Sequence, residues 1–197
     1  GAAARGRRCA ELARQLAARF GVPQELREDL EAAALLHEVG RVLRLTSRDV
    51  PADAWQHVVA AKALLRAMDG FHVAGELIGS MYENWDGSGH PDHLLKGQIP
   101  LRSRILRLVS EYQGLLAERG RTPESALARL LEHGGTTYDP AVVAHLKAVL
   151  DTEADASDSH VMMAVTDLEP GMVLAEDLFT DHGIMLLSRN TLLTPSH

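Results

Sequence analysis

Between residues 105 and 116 the chain carries Ile105, Leu108, Val109, Tyr112, Leu115 and Leu116. Intervals of three and four put these side chains on one face of an α-helix and on no single face of a strand. A stripe this regular needs apolar partners, so the fold must be built from packed helices. The same spacing recurs upstream. Cys9, Leu12, Ala13, Leu16, Ala17 and Phe20 mark a first helix, stopped by Gly21-Val22-Pro23. Leu26, Leu30, Ala33, Ala34 and Leu36 mark a second, running to His37 with Gly40 at its end. After a loop expected from Ser47 to Ala54, Trp55, Val58, Val59, Leu65 and Met68 mark a third. Val73, Leu77, Ile78 and Met81 mark a fourth. Two further helices, Pro123 to Glu132 and Pro140 to Leu150, carry Pro in the first turn behind the N-caps Thr122 and Asp139.

Composition narrows the choice. Aromatic residues make up only 4% of the 197, so Ala, Leu and Val must fill the core, which favours helix packing over a sheet sandwich. That length supports one full core with a small appendage. The single cysteine, Cys9, excludes an intrachain disulfide or a cysteine-based zinc site and is expected in the core. A net charge of −7 without a basic run excludes a binder of nucleic acid polymers, but a small anionic ligand can still find a locally positive pocket. There is no signal peptide and no apolar run of membrane-spanning length, so the expected location is cytoplasmic, without a membrane partner.

The pattern changes at Asp151. Residues 151–159 are acidic, small and aperiodic, and read as a linker. Beyond them Val161 to Val165, Met172 to Leu174 and Ile184 to Leu187 read as short strands, the last preceded by a turn at Asp181-His182-Gly183. The expected organisation is a helical domain over 1–150, a linker over 151–159 and a small, truncated β segment over 160–197. The whole reads as a piece of a longer protein.

Three groups can carry chemistry: His37-Glu38 at a helix end, His57, and Tyr82-Glu83-Asn84-Trp85-Asp86 leading into a glycine loop. An imidazole and a carboxylate side by side after an apolar run can converge on one divalent ion. Alone the pair is weak evidence, because a solvent-facing Glu beside a His held by a backbone carbonyl is the commoner outcome. The loop Asp86-Gly-Ser-Gly-His-Pro91 is a rigid turn whose glycines supply positive φ. After it, Leu94-Leu95, Gly97 and Ile99-Pro100-Leu101 lead to Arg104-Ile105.

Together these residues resemble the HD-GYP family, a branch of the HD phosphohydrolases, over roughly Arg5 to Val143. Tyr138-Asp139-Pro140 is similar to the family's closing Phe-Asp-Pro helix start. The resemblance implies a mainly α, HD-domain-like helical bundle with a small C-terminal β appendage. It also implies a two- or three-metal centre that hydrolyses cyclic di-GMP, often downstream of a receiver domain. The family's His-Asp pair falls on His37-Glu38 and its next histidine on His57. Its pair of histidines before Glu83 falls on Met81 and Tyr82, its closing Asp on Ser110, and the second Asp of that stretch on Gln113. An early histidine falls on Arg5, its Gly-Lys lysine on Arg41 and its Gly-Tyr-Pro tyrosine on His90.

A thioether, a phenol and a hydroxyl are poor replacements for the ligands of hard divalent ions. His37, Glu38 and His57 remain as residual metal candidates, for no metal or one weakly bound ion of Fe, Mn or Zn type. Arg41, Asp86, His90, Arg104 and Arg119 are the ligand-binding candidates, the arginines as phosphate forks. His72, His90 and His93 are the nearest substitutes for a relocated site. The segments Leu168 to Leu178 and Asp181 to Leu187 are similar to a short β module attached to some HD-GYP response regulators.

The expected function is a non-catalytic signalling output module. It would couple an upstream receiver or sensor domain to cyclic di-GMP or to a protein such as a diguanylate cyclase domain. The alternatives are a metal-dependent phosphohydrolase with a reduced or rearranged metal site, and a scaffold of the HDOD type.

Overall fold

The computed structural model describes residues 2–40, 55–158, 164–180, 185–188 and 191–194. They form a mainly α architecture with helices α1 (Ala2–Arg19), α2 (Gln24–Leu36), α3 (Gln56–Arg66), α4 (His72–Gly79), α5 (Leu101–Leu116), α6 (Pro123–Glu132) and α7 (Pro140–Asp158). A short antiparallel pair, β1 (Leu178–Phe179) and β2 (Met185–Leu187), follows. The chain divides into two compact units, Gly1–Leu150 and Asp151–His197.

In the first unit α5 is the centre, packing against α1, α2, α4 and α6. Neighbours on several sides explain why Leu106 is buried together with the stripe residues Ile105, Leu108 and Val109. Helix α1 also packs on α2, and α3 on α4. Cys9, Leu16, Leu30, Ala33, Val58 and Leu65 complete the core. Burial of this apolar surface, at about 25 cal/mol per Å², is what holds helices of this length together.

Two caps act as expected. Thr122 Oγ1 accepts from Ser125 N–H and Ser125 Oγ accepts from Thr122 N–H, a reciprocal pair that starts α6. Asp139 Oδ1 accepts from Ala141 N–H at 2.9 Å and starts α7.

Three expectations are corrected. On α3 the buried stripe is His57, Val58, Ala61 and Leu65, so Val59 and Met68 are exposed, as is Val73 on α4. The neighbour α4 covers one face only, and a residue one position off the stripe turns about 100° away from it. The acidic stretch read as a linker is helical through Asp158. Extending an existing helix costs far less than starting one, so Ala, Glu and Asp continue α7 beyond its apolar part.

In the second unit, Val165 opens a 3-10 turn (Val165–Asp167) rather than closing a strand, and among the described residues Met172 to Leu174 pairs through the isolated bridge Val173–Leu192. Met172 C=O accepts from Leu193 N–H at 2.8 Å, and Leu174 N–H donates to Thr191 C=O at 3.0 Å. Leu178–Phe179, unmarked in the sequence, is the strand that pairs with Met185–Leu187. Residues 41–54, 161–163 and 181–184 lie outside the described residues, and with them Arg41, the expected Ser47 to Ala54 loop and the Asp181-His182-Gly183 turn.

Candidate functional site

Helix α2 ends at Leu36, leaving His37 and Glu38 in the turn that follows. Gly40 then passes so close to α3 that a Cβ there would collide with the His57 carbonyl oxygen. This contact sets the segment just after the His37-Glu38 pair against the start of α3, and both imidazoles are buried. His37 Nδ1 lies 2.7 Å from the Ala34 carbonyl oxygen, one turn back on α2. Such a bond fixes that nitrogen as the donor, and Nε2 lies 4.0 Å from Glu38 Oε1.

Glu38 meets a cation from another helix. Arg5 Nη2 donates to both carboxylate oxygens, at 2.6 and 2.7 Å. The pair is partly exposed, the two side chains retaining 31% and 26% of their accessible surface. Arg5 reaches Glu38 because α1 lies along α2, with Gly6 buried against Leu35.

Met81 is 1% exposed, a core residue just beyond α4. The Tyr82 ring stands edge-on to His57, with centroids 5.5 Å apart and planes at 80°. On Tyr82, the guanidinium carbon of Arg107 lies 4.2 Å from the ring centroid. Ser110 and Gln113 are partly buried on α5. Cys9 is buried with Sγ 3.8 Å from the Val109 carbonyl oxygen, and burial pushes its thiol up to about 11.

The glycine loop is braced by its own side chains. Asp86 Oδ1 accepts from Ser88 N–H at 2.9 Å and from Ser88 Oγ–H at 2.6 Å, and these bonds hold the Asp86 carboxyl below the usual range. Asn84 Nδ2 donates to Ser88 Oγ. Gly87 has φ +83°, and a Cβ on Gly89 would collide with the Asn84 backbone nitrogen. The buried carboxylate of Glu83 accepts from the amides of Asp92 and Leu94, at 2.7 and 2.9 Å. Trp85 and Asp86 N–H donate to Thr137 and Thr136 C=O, tying the loop to the segment before α7. Arg104 donates from Nε to Ile99 C=O, pairs with the buried Asp139, and lies over the Trp85 ring.

Of the ligand-binding candidates, Arg104 is thus committed to the loop and Asp86 is exposed with its oxygen engaged by Ser88. His90 stacks on Trp55 at 5.1 Å and meets His93 edge-on at 4.9 Å. Arg119 is exposed beyond the end of α5. Two groups were not singled out from sequence. Arg107 stands between buried Leu106 and Leu108, and a charged residue inside so apolar a run was the available signal. Arg5 had been matched to a family position, but its partner lies 33 residues away and is set by helix packing alone.

Among the described residues no three His, Cys, Asp or Glu side chains come together as a metal site. The Glu38 oxygens face the Arg5 guanidinium, and a buried thioether and a ring-packed phenol occupy the two positions before Glu83.

The HD domain family matches this chain over residues 2–142. The chain is 28% identical over 151 residues to the cyclic di-GMP phosphodiesterase response regulator RpfG of Xanthomonas campestris, covering 69% of this chain and 40% of that protein. It is 30% identical over 142 residues to a cyclic di-GMP phosphodiesterase of Vibrio cholerae, covering 62% of this chain and 29% of that one. It therefore spans well under half the length of these relatives. Among solved structures it resembles an HDGYP protein of Bdellovibrio bacteriovorus, with TM-score 0.62 and 18% identity over 77% of this chain and 53% of that one. A cyclic GMP-AMP specific phosphodiesterase of V. cholerae superposes with TM-score 0.60, also at 18% identity, over 78% of this chain and 45% of that one. These two likenesses establish the fold.

Proposed function

This chain belongs to the HD domain family, and from that premise we propose that it is a signalling output module that does not hydrolyse cyclic dinucleotides. The observation that carries this reading is the Arg5–Glu38 ion pair. Hydrolysis of a phosphodiester by this kind of site needs metal ions to activate water and to stabilise charge on the phosphate oxygens. A guanidinium neutralises a carboxylate but has no acidic water to offer and no open coordination position. Removing one preorganised electrostatic group costs about 10²–10³ in rate, and several ligand positions here carry non-ligand groups.

What the site supports instead is recognition. Its loop is rigid, and the aromatic group Trp55, His90 and His93 stands beside it. The relatives named cyclic di-GMP phosphodiesterases make a cyclic dinucleotide the first ligand to test. The relative named a response regulator makes a receiver domain the first candidate for an upstream partner. No helix of the described residues is long and apolar enough to cross a membrane.

The test is direct. The protein is purified with Mn²⁺ or Fe²⁺ present, its metal content is measured, and cyclic di-GMP turnover is compared with that of His37→Ala. Less than one metal per chain and turnover equal to the variant are expected. Turnover well above the variant would restore the reading of a metal-dependent phosphohydrolase with a rearranged site.

A further inference from the structure

Arg107 is used neither by the glycine loop nor by the Glu38 ion pair. On the same helix, Arg102 is paired with Asp29 and Arg104 with Asp139, whereas Arg107 forms no ion pair among the described residues. Its guanidinium packs on Tyr82, and Arg107 and Tyr138 line the same cavity. Its Nε and Nη1 are both buried and have no hydrogen-bond partner among the described residues. A buried cationic donor left unsatisfied is strongly disfavoured, so an acceptor must reach these nitrogens.

The room for that acceptor is beside them. Arg107, Arg104, Glu83, Trp85, Tyr138 and Asp139 line a small cavity of about 210 Å³, its open mouth included. The other charges on its wall are already committed. Arg104 and Asp139 neutralise each other, and both Glu83 oxygens accept backbone amides. Arg107 is the charge left over. Burial pushes the Tyr138 hydroxyl up to about 12, with Glu111 adding to the effect, so it remains a neutral donor on the same wall.

We propose that this cavity is an oxyanion site of phosphate type, in which one oxygen of the guest accepts hydrogen bonds from Arg107 and the remaining oxygens face the open mouth. A cation with free N–H donors in a partly dry site discriminates a charged oxygen from water. The proposal does not rest on the loss of hydrolysis, because its test reads the binding of phosphate and not turnover.

The experiment titrates the chain with inorganic phosphate against chloride at constant ionic strength. The readouts are the Arg107 Nε–H resonance and the thermal midpoint. A saturable shift of that resonance with phosphate and a raised midpoint are expected. Both should be lost in Arg107→Met, which keeps an unbranched side chain but removes the guanidinium, and weakened at least tenfold in Arg107→Lys. Circular dichroism checks that each variant is folded; if Arg107→Met is not, Arg107→Lys decides by the same criteria. A resonance that ignores phosphate means a water fills the cavity and overturns the proposal. So does an equal response in the wild type and the folded variants, which would place binding elsewhere. Where phosphate binds, displacement by cyclic di-GMP identifies a phosphodiester as the guest, and failure to displace identifies free phosphate; both support the site.

Discussion

The glycine loop and the pocket beside it satisfy their polar groups in different ways. In the loop, Asp86, Ser88, Asn84 and Glu83 all bond to atoms within residues 84–94. In the pocket, Glu38 is held from α1, His37 from within α2, and His57 packs against a ring that follows α4. Side-chain bonds closed within ten or so residues persist when distant residues change. A pocket assembled from several helices is rewired by one substitution on any of them. On the reading proposed above, that difference is how the loop motif can be kept while residues around His37 and Glu38 change.

The sharpest test exchanges the backbone contacts of the two regions. Alanine at Gly40 would drive a Cβ into the His57 carbonyl, and alanine at Gly89 would drive one into the Asn84 nitrogen. Neither neighbour is the end of a flexible side chain, so each variant is expected to lose about 3 kcal/mol or more, at the top of the overpacking range. Urea unfolding measures this. Tolerance at Gly40 alone would mean that the pocket relaxes where the loop cannot, sharpening the contrast. Tolerance at both would break it, since neither region would then be fixed by its backbone.

Next comes Arg104, which joins the loop to the start of α7. Asp139 is buried, and removing its partner leaves a desolvated carboxylate. Arg104→Ala is expected to destabilise by about 3 kcal/mol. The partly exposed Arg5–Glu38 pair should contribute only about 0–1 kcal/mol, because solvent screens it and two flexible side chains must be ordered. Unfolding curves of Arg104→Ala and Arg5→Met in one buffer compare the two directly. An Arg5 effect as large as that of Arg104 would make the pocket, not the loop, the better fixed region.

The unequal encoding also decides what could be read from sequence. The helices were legible because apolar spacing is a local signal, as in Ile105 to Leu116. Their exposed residues were less so: Val58 and Val59 are equally apolar, and only the position of α4 makes one of them core. The 151–158 stretch was misread because composition reports the tendency to start a helix, whereas α7 arrives already formed. A two-residue strand such as Leu178–Phe179 is too short to show alternation. In the site, the adjacent His37-Glu38 pair and the loop could be found by eye. The Arg5–Glu38 contact and the place of Arg107 on Tyr82 exist only after α1, α2 and α5 have packed.

The smallest expected effect belongs to Asp86 and tests whether the loop is as self-contained as its bonds suggest. The Ser88 hydroxyl, with the Ser88 amide second, lowers the Asp86 carboxyl in the folded state. A carboxyl depressed on folding stabilises the native state fully above its unfolded value, about 3.9 for an aspartate, and loses that contribution as pH falls through the folded value. Asp86→Asn should therefore be slightly less stable than the wild type at pH 7, and the gap should close below about pH 4. Because Asp86 is exposed, salt should narrow the gap only a little if hydrogen bonds to Ser88 carry it, and strongly if remote charges do. Thermal midpoints of both proteins between pH 3 and 7, at low and high salt, separate these causes. A gap that does not narrow at all as the pH falls from 4 to 3 would mean that the loop needs the shape of the aspartate side chain rather than its charge.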